Sequence, residues 1–152
     1  MKKAFTLIEL LISMGLMSLF FVVLGNIFVS VLDIKTDSET ASIVEIDGRY
    51  VLSRLMYDVS RAESIVSPAL GVTADTLVLS IDGIEYSYSV DGQVLELTDA
   101  VGSFPLISFL TQLSEFEVTR IGNITGKNSL QVSFTLTSQN EVRDYLTTIG
   151  LR

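Results

Sequence analysis

Two hydrophobic periods divide the chain. From Leu10 to Leu32 there are 23 consecutive positions without a charge, most of them apolar. At about 1.5 Å rise per residue, a helix of that length covers the roughly 30 Å hydrocarbon core of a bilayer. From Asp33 to Ile65 the chain turns polar but keeps an apolar stripe at Val44, Val51, Leu55, Val59 and Ala62, with Leu52 and Ile65 beside it. Spacings of three, four and seven put these side chains on one helix face. Glu45, Arg49, Arg54, Asp58 and Arg61 are expected opposite that stripe and read as a solvated face, because exposed charge pairs usually signify little. Pro68 disfavours helical geometry in the residue before it, so the helix is expected to end near Ser64 to Ser67. One long helix is therefore predicted from Phe5 to about Ser64. Gly15, Gly25-Asn26 and Gly48 are its weak points, since glycine costs roughly 1 kcal/mol in a helix interior; the alternative is that they permit close helix packing in a membrane.

Beyond Thr73 the period changes to two. Ile84, Tyr86, Tyr88 and Val90 share one face and Glu85, Ser87 and Ser89 the other, the pattern of a half-buried strand. Asp82-Gly83 and Asp91-Gly92 flank it as two-residue hairpin signals. Thr76 to Ile81, Ile84 to Val90 and Gln93 to Thr98 thus read as a three-stranded meander. Leu106 to Leu110 fits a helical turn or a strand equally well. Ser114 to Ile121 and Ser129 to Thr137 read as paired strands around a Gly122 to Asn128 loop, with Leu130, Val132, Phe134 and Leu136 facing inward. A last strand is expected from Val142 to Ile149. A one-striped helix and a one-faced antiparallel sheet each need a cover, and packing one on the other satisfies both. The predicted fold class is α+β, a long N-terminal helix on a C-terminal antiparallel sheet in a roll.

Charge adds an asymmetry. The formal net charge is −8, and −10 once Lys2 and Lys3 are removed. An acidic domain argues against direct nucleic-acid binding, whose footprint is a basic stripe. With no cysteine, no disulfide stabilises the chain; with no histidine, the commonest metal ligand and acid-base group is missing. No catalytic residues, cofactor or metal are predicted. A carboxylate pair would need two flanking groups with separated pKa values, and Asp82 and Asp91 are better read as turn residues. Asp91, Glu96 and Asp99 are acidic and near one another in sequence but lack the ligand spacing of a calcium loop.

Glu9 is the exception to this orderly pattern. It stands at the edge of the apolar run and needs a partner, since an ionisable group at mid-bilayer costs roughly 2.5 to 3.5 kcal/mol on insertion scales. The run exceeds the 7 to 15 or so apolar residues of an ordinary secretory signal, and cleavage at Asn26 or Ser30 is poorly signalled. Lys2 and Lys3 on one flank, with Asp33, Asp37 and Glu39 on the other, place the N-terminus in the cytoplasm and the remainder outside.

The stretch Lys2-Lys3-Ala4-Phe5-Thr6-Leu7-Ile8-Glu9-Leu10-Leu11-Ile12 resembles the N-terminal signature of bacterial type IV pilins and type II secretion pseudopilins. The resemblance implies that prepilin peptidase cuts between Ala4 and Phe5 and methylates the new amine of Phe5. Ala4 departs from the glycine usual in that family. The resemblance also implies that Glu9 pairs with the N-terminal amine of a neighbouring subunit, setting register more than net stability, because desolvation offsets much of the Coulomb gain. The implied organisation is a leader at 1–4, a transmembrane and assembly helix at 5–32, the amphipathic half of the helix at 33–66 and an antiparallel β head at 67–152. Arg49 to Ala62, with Leu55, Asp58 and Ala62, is similar to the helix of J-type (W-type) minor pilins and pseudopilins; retaining Glu9 sets the chain apart from the tip-most type.

These features imply a structural subunit, not an enzyme, of a type IV pilus or type II secretion pseudopilus. The expected partners are other pilin or pseudopilin subunits, prepilin peptidase and the cytoplasmic membrane, which the chain crosses once before joining a filament. The competing reading is an uncleaved, signal-anchored surface binding module that never assembles.

Overall fold

In a computed structural model the described residues are 6–122 and 128–151. Helix α1 runs without interruption from Leu7 to Arg61, through Gly15, Gly25 and Gly48. The chain divides into two compact units, Met1–Glu39 and Thr40–Arg152, which are described separately.

In the first unit every described side chain is exposed. The apolar residues from Leu7 to Leu32 surround the helix on all sides and have no core to enter. A helix apolar all round is one built for an apolar solvent or for apolar neighbours. Its serine hydroxyls are already satisfied locally. Ser13 donates to Leu10 O at 2.9 Å, Ser18 to Gly15 O at 2.9 Å and Ser30 to Asn26 O at 3.0 Å. These bonds leave no free hydroxyl donor in a setting where water cannot supply an acceptor.

The second unit is where the apolar stripe finds its cover. Val44, Val51, Leu55 and Val59 are fully buried, and Ala62 and Ile65 nearly so, as their spacing predicts. Two antiparallel sheets, rather than the single one expected, complete this unit. β1 (Ser64–Ser67), β3 (Leu77–Ile81), β4 (Ile84–Asp91), β5 (Val94–Thr98) and β6 (Ser103–Pro105) form the first, in the order β1-β3-β4-β5-β6. β2 (Thr73–Ala74), β7 (Gln112–Ile121), β8 (Ser129–Ser138) and β9 (Glu141–Gly150) form the second, in the order β2-β7-β8-β9. Leu77, Leu79, Ile81, Tyr88, Leu95 and Leu97 of the first sheet share one core with Leu113, Phe116, Val118, Leu130, Val132, Phe134 and Leu136 of the second. The four β8 residues expected to face inward all do so.

Several boundaries differ from expectation for local reasons. The helix stops at Arg61, and the residues expected to be its last turn are extended: Glu63 N donates to Ser80 O at 2.9 Å, and β1 pairs with β3, which carries Ile65 into the core from a strand. The Asp82-Gly83 hairpin is as predicted, with both residues at positive φ, 53° and 76°. At the next hairpin Asp91 still pairs with Val94, so the two-residue turn is Gly92-Gln93, with only Gly92 at positive φ. That places glycine first in the turn, the arrangement of a type II′ hairpin. Ile84 and Val90 lie on the predicted inward face of β4 but are exposed at its ends, and only Tyr88 is fully buried. Leu106 to Leu110 is neither strand nor helix. It links the sheets, with Leu106 N bonded to Leu95 O at 2.8 Å and Leu113 N to Gln93 O at 2.8 Å, and it buries Leu106 and Ile107.

Gly48 has a packing role in this unit rather than a weakening one. A Cβ there would collide with the ring of Tyr145 on β9. The Tyr145 ring stacks on Phe134 with centroids 4.9 Å apart, and its hydroxyl donates to Val44 O at 3.0 Å. A ring held on two sides has no room to retreat, so Gly48→Ala is expected to destabilise the unit by about 1–3 kcal/mol, as overpacking does. Urea unfolding of the full chain in detergent, read by tyrosine fluorescence, checks this; a midpoint equal to that of the wild type would contradict it.

Candidate functional site

The start of α1 is built by its own residues. Thr6 stands immediately before the helix; its carbonyl accepts from Glu9 N at 3.1 Å and Leu10 N at 3.2 Å, and its Oγ1 accepts from Glu9 N at 3.4 Å. Thr6 is thus an N-cap, and Glu9 occupies the third helical position. The spacing Thr6-Leu7-Ile8-Glu9 is the S/T-x-x-E pattern of a capping box. That pattern was available in the sequence, and Thr6 is the residue that reading Glu9 alone overlooks. The first turn of a helix also carries partial positive charge, which favours a carboxylate there. Glu9 is exposed in the single chain, with no cationic partner among the described residues. Ala4 and Phe5, the predicted processing residues, lie outside the described residues.

Within the second unit, Asp58 overturns its assignment to the solvated face. Its side chain is 1% exposed. Oδ2 accepts from Arg54 Nε at 2.8 Å and, through a very short bond, from the Tyr88 hydroxyl on β4. Oδ1 has no hydrogen-bond partner among the described residues. Asp58 lies seven residues after Val51 and three after Leu55, so helix phase turns it to the same face as the apolar stripe, and β4 supplies a tyrosine at that spot. Arg54 is partly exposed, so the pair joins the core to the surface. Burial first, and the adjacent Asp58 carboxylate second, push the Tyr88 hydroxyl well above the ordinary tyrosine value.

The other charged residues considered have structural uses. Arg49 pairs with Glu45, and Arg61 meets Asp82 at 3.2 Å while donating to the Tyr57 hydroxyl at 2.9 Å. Asp99 Oδ1 accepts from Val101 N at 2.7 Å and Gly102 N at 3.1 Å, capping a loop, and Glu96 accepts from Ser103 Oγ at 2.8 Å. Among the described residues no three potential metal ligands converge.

α1 contains an 18-residue stretch of mean hydropathy 2.5, long and apolar enough to cross a membrane. Residues 1–25 match the model of the prokaryotic N-terminal methylation motif. The chain carries the type IV pilin and pseudopilin signature. Comparison with curated proteins and with solved structures finds no match. The pilin signature ends at residue 25, so it covers Thr6, Glu9 and the apolar helix and leaves the sheets to be understood from their own residues. Such a motif implies processing by prepilin peptidase and assembly with other pilin subunits, and the family that carries it is typically structural.

Outside the pilin signature, the Asp58 cluster is open to a direct test. Tyr88→Phe removes the hydroxyl and leaves a buried carboxylate with one donor, at an expected cost of about 1.5–3 kcal/mol. The raised Tyr88 pKa also has a pH consequence. Because the folded state holds this proton more tightly than the unfolded state, the contribution is full below the ordinary value of 10 and is lost as pH rises above it. Wild-type stability should therefore fall between pH 10 and 11 more steeply than that of Tyr88→Phe. Denaturant midpoints at pH 8, 10 and 11 measure both effects, and parallel pH curves would contradict the second.

Proposed function

We propose that this chain is a structural subunit, a minor one, of a type IV pilus or type II secretion pseudopilus. The match of residues 1–25 to the N-terminal methylation motif carries the reading. It is supported by a first turn in which Thr6 caps the helix at the position of Glu9, and by an apolar helix with no core of its own. In this reading residues 1–4 are a leader, prepilin peptidase cleaves between Ala4 and Phe5, and the Phe5 amine is methylated. Residues 5–32 hold the chain in the cytoplasmic membrane with its N-terminus inside, and the sheet-bearing unit is exported.

The role of Glu9 follows from its energetics. A carboxylate in the first turn of a helix that is then uncharged as far as Leu32 gains something from the helix dipole, about 0.3–1 kcal/mol, which is less than the cost of its burial. The processed N-terminal amine of a neighbouring subunit supplies the remaining partner when parallel helices pack with an axial stagger. The similarity of Arg49 to Ala62 to J-type minor subunits supports the minor assignment.

Two measurements test this. Mass spectrometry of the chain purified from its own cells should show an N-terminal Phe5 one methyl group heavier than the unmodified residue. An intact Met1 would instead support the uncleaved, signal-anchored module. Glu9→Val should leave membrane insertion unchanged, as judged by carbonate extraction, yet reduce incorporation into sheared filaments by at least about tenfold, the equivalent of 1.4 kcal/mol. Incorporation at wild-type levels would refute the pairing.

A further inference from the structure

The edges of the two sheets are unequal. β1 has four residues, a register irregularity between Ile65 and Ser67, and Pro68 just beyond it. β6 has three residues and ends in Pro105, and β2 has two. Short strands, bulges and prolines are the usual devices that keep an edge from recruiting another chain. β9 has none of them. It runs for ten residues in unbroken register with β8, from Ser129↔Gly150 to Ser138↔Glu141, and among the described residues no strand lies on its other side.

The ladder shows which groups face outward. Leu151 N donates to Asn128 O at 2.9 Å, so the hydrogen-bonded pairs of β8 and β9 include Ile149, Thr147, Tyr145 and Arg143. In an antiparallel ladder the alternate residues direct N–H and C=O to the other edge. Those residues are Val142, Asp144, Leu146 and Thr148. Their side chains lie on the outer face of the sheet, with Val142 59% and Leu146 69% exposed. The opposite face holds the strand rigid, since Ile149 is buried, Tyr145 packs against Gly48, and Arg143 bonds Glu141 at 3.1 Å and Glu45 at 3.4 Å.

We propose that the free edge of β9 accepts an extended strand from a different subunit, one with Lys or Arg opposite Asp144 and apolar side chains opposite Val142 and Leu146. The proposal rests on the filament-subunit reading. Charge sets the partner's chemistry. Asp144 shares a cross-strand row with Thr135 and Glu115, which gives two carboxylates and no cation. Residues 40–152 carry fourteen Asp and Glu against seven Lys and Arg, so a second copy brings mostly like charge. Symmetry argues the same way. Copies stacked head to tail would have to join β9 to a different edge, and the opposite edge of this sheet is the two-residue β2. Two β9 edges would instead close as a two-fold pair, which does not propagate a filament.

The test uses the full-length chain. Leu146→Pro removes an outward N–H while sparing the β8–β9 ladder, because proline is tolerated where the N–H faces solvent. Leu146→Thr keeps the amide. Leu146→Pro should lower the yield of pilin-like subunits co-purified from solubilised membranes at least about tenfold, and Leu146→Thr should change it less than about twofold. Hydrogen exchange should find the Val142, Asp144, Leu146 and Thr148 amides unprotected in the detergent-solubilised monomer and protected in the assembled chain. This measurement decides the matter if Leu146→Pro does not fold. Equal yields from the two variants, or free exchange of these amides in an assembled chain, overturn the proposal alone. A disulfide-linked homodimer of Val142→Cys in the assembly overturns the assignment to a different subunit. A wild-type chain that co-purifies with no pilin-like subunit overturns the filament reading and this proposal together.

Discussion

Everything in this molecule depends on one helix with two kinds of surroundings. Over Leu7 to Leu32 the apolar residues encircle α1, and over Val44 to Ala62 they narrow to a stripe. The same backbone is thereby suited to hydrocarbon or sibling helices along its first part and to two sheets along its second. The stripe serves as a structural layer. Without it the inner faces of both sheets lose their common cover, because Val51, Leu55 and Val59 belong to the same core as Leu79, Tyr88, Val132 and Phe134.

Periodicity made most of this layout legible. The three- and four-residue spacing of Val44, Val51, Leu55 and Val59 and the alternation of Leu130, Val132, Phe134 and Leu136 report burial directly, since each side chain's direction is set by the period of its element. What stayed hidden depended on contacts distant in sequence. Asp58 looks like one more charge beside Arg54 until β4, thirty residues later, brings up the Tyr88 hydroxyl. Gly48 looks like a helix defect until Tyr145, nearly a hundred residues on, fills the space a Cβ would take. The division into two sheets was illegible for the same reason: alternation gives a strand its faces but not its neighbours. At the N-terminus the reverse holds, because the capping pattern of Thr6 and Glu9 is wholly local.

The carboxylates of the head cap a loop, brace a turn or join helix to sheet, as Asp99, Asp82 and Asp58 do. With no disulfide available, such polar ties and the packed core must hold the unit together. The Asp58–Tyr88 contact is suited to specifying how the helix lies on the sheet. A buried carboxylate tolerates no placement that separates it from its donors, whereas a purely apolar seam tolerates sliding.

The position of β9 also constrains when this unit can fold. In a chain synthesised from its N-terminus, the stripe of α1 is made early and stays uncovered while the sheets are still being delivered. Tyr145 and Ile149, which close over the helix and β8, arrive among the final residues described. Completion of the core is therefore a late event of synthesis. Until then the stripe has no cover, so the order of delivery sets a waiting period before the head is complete.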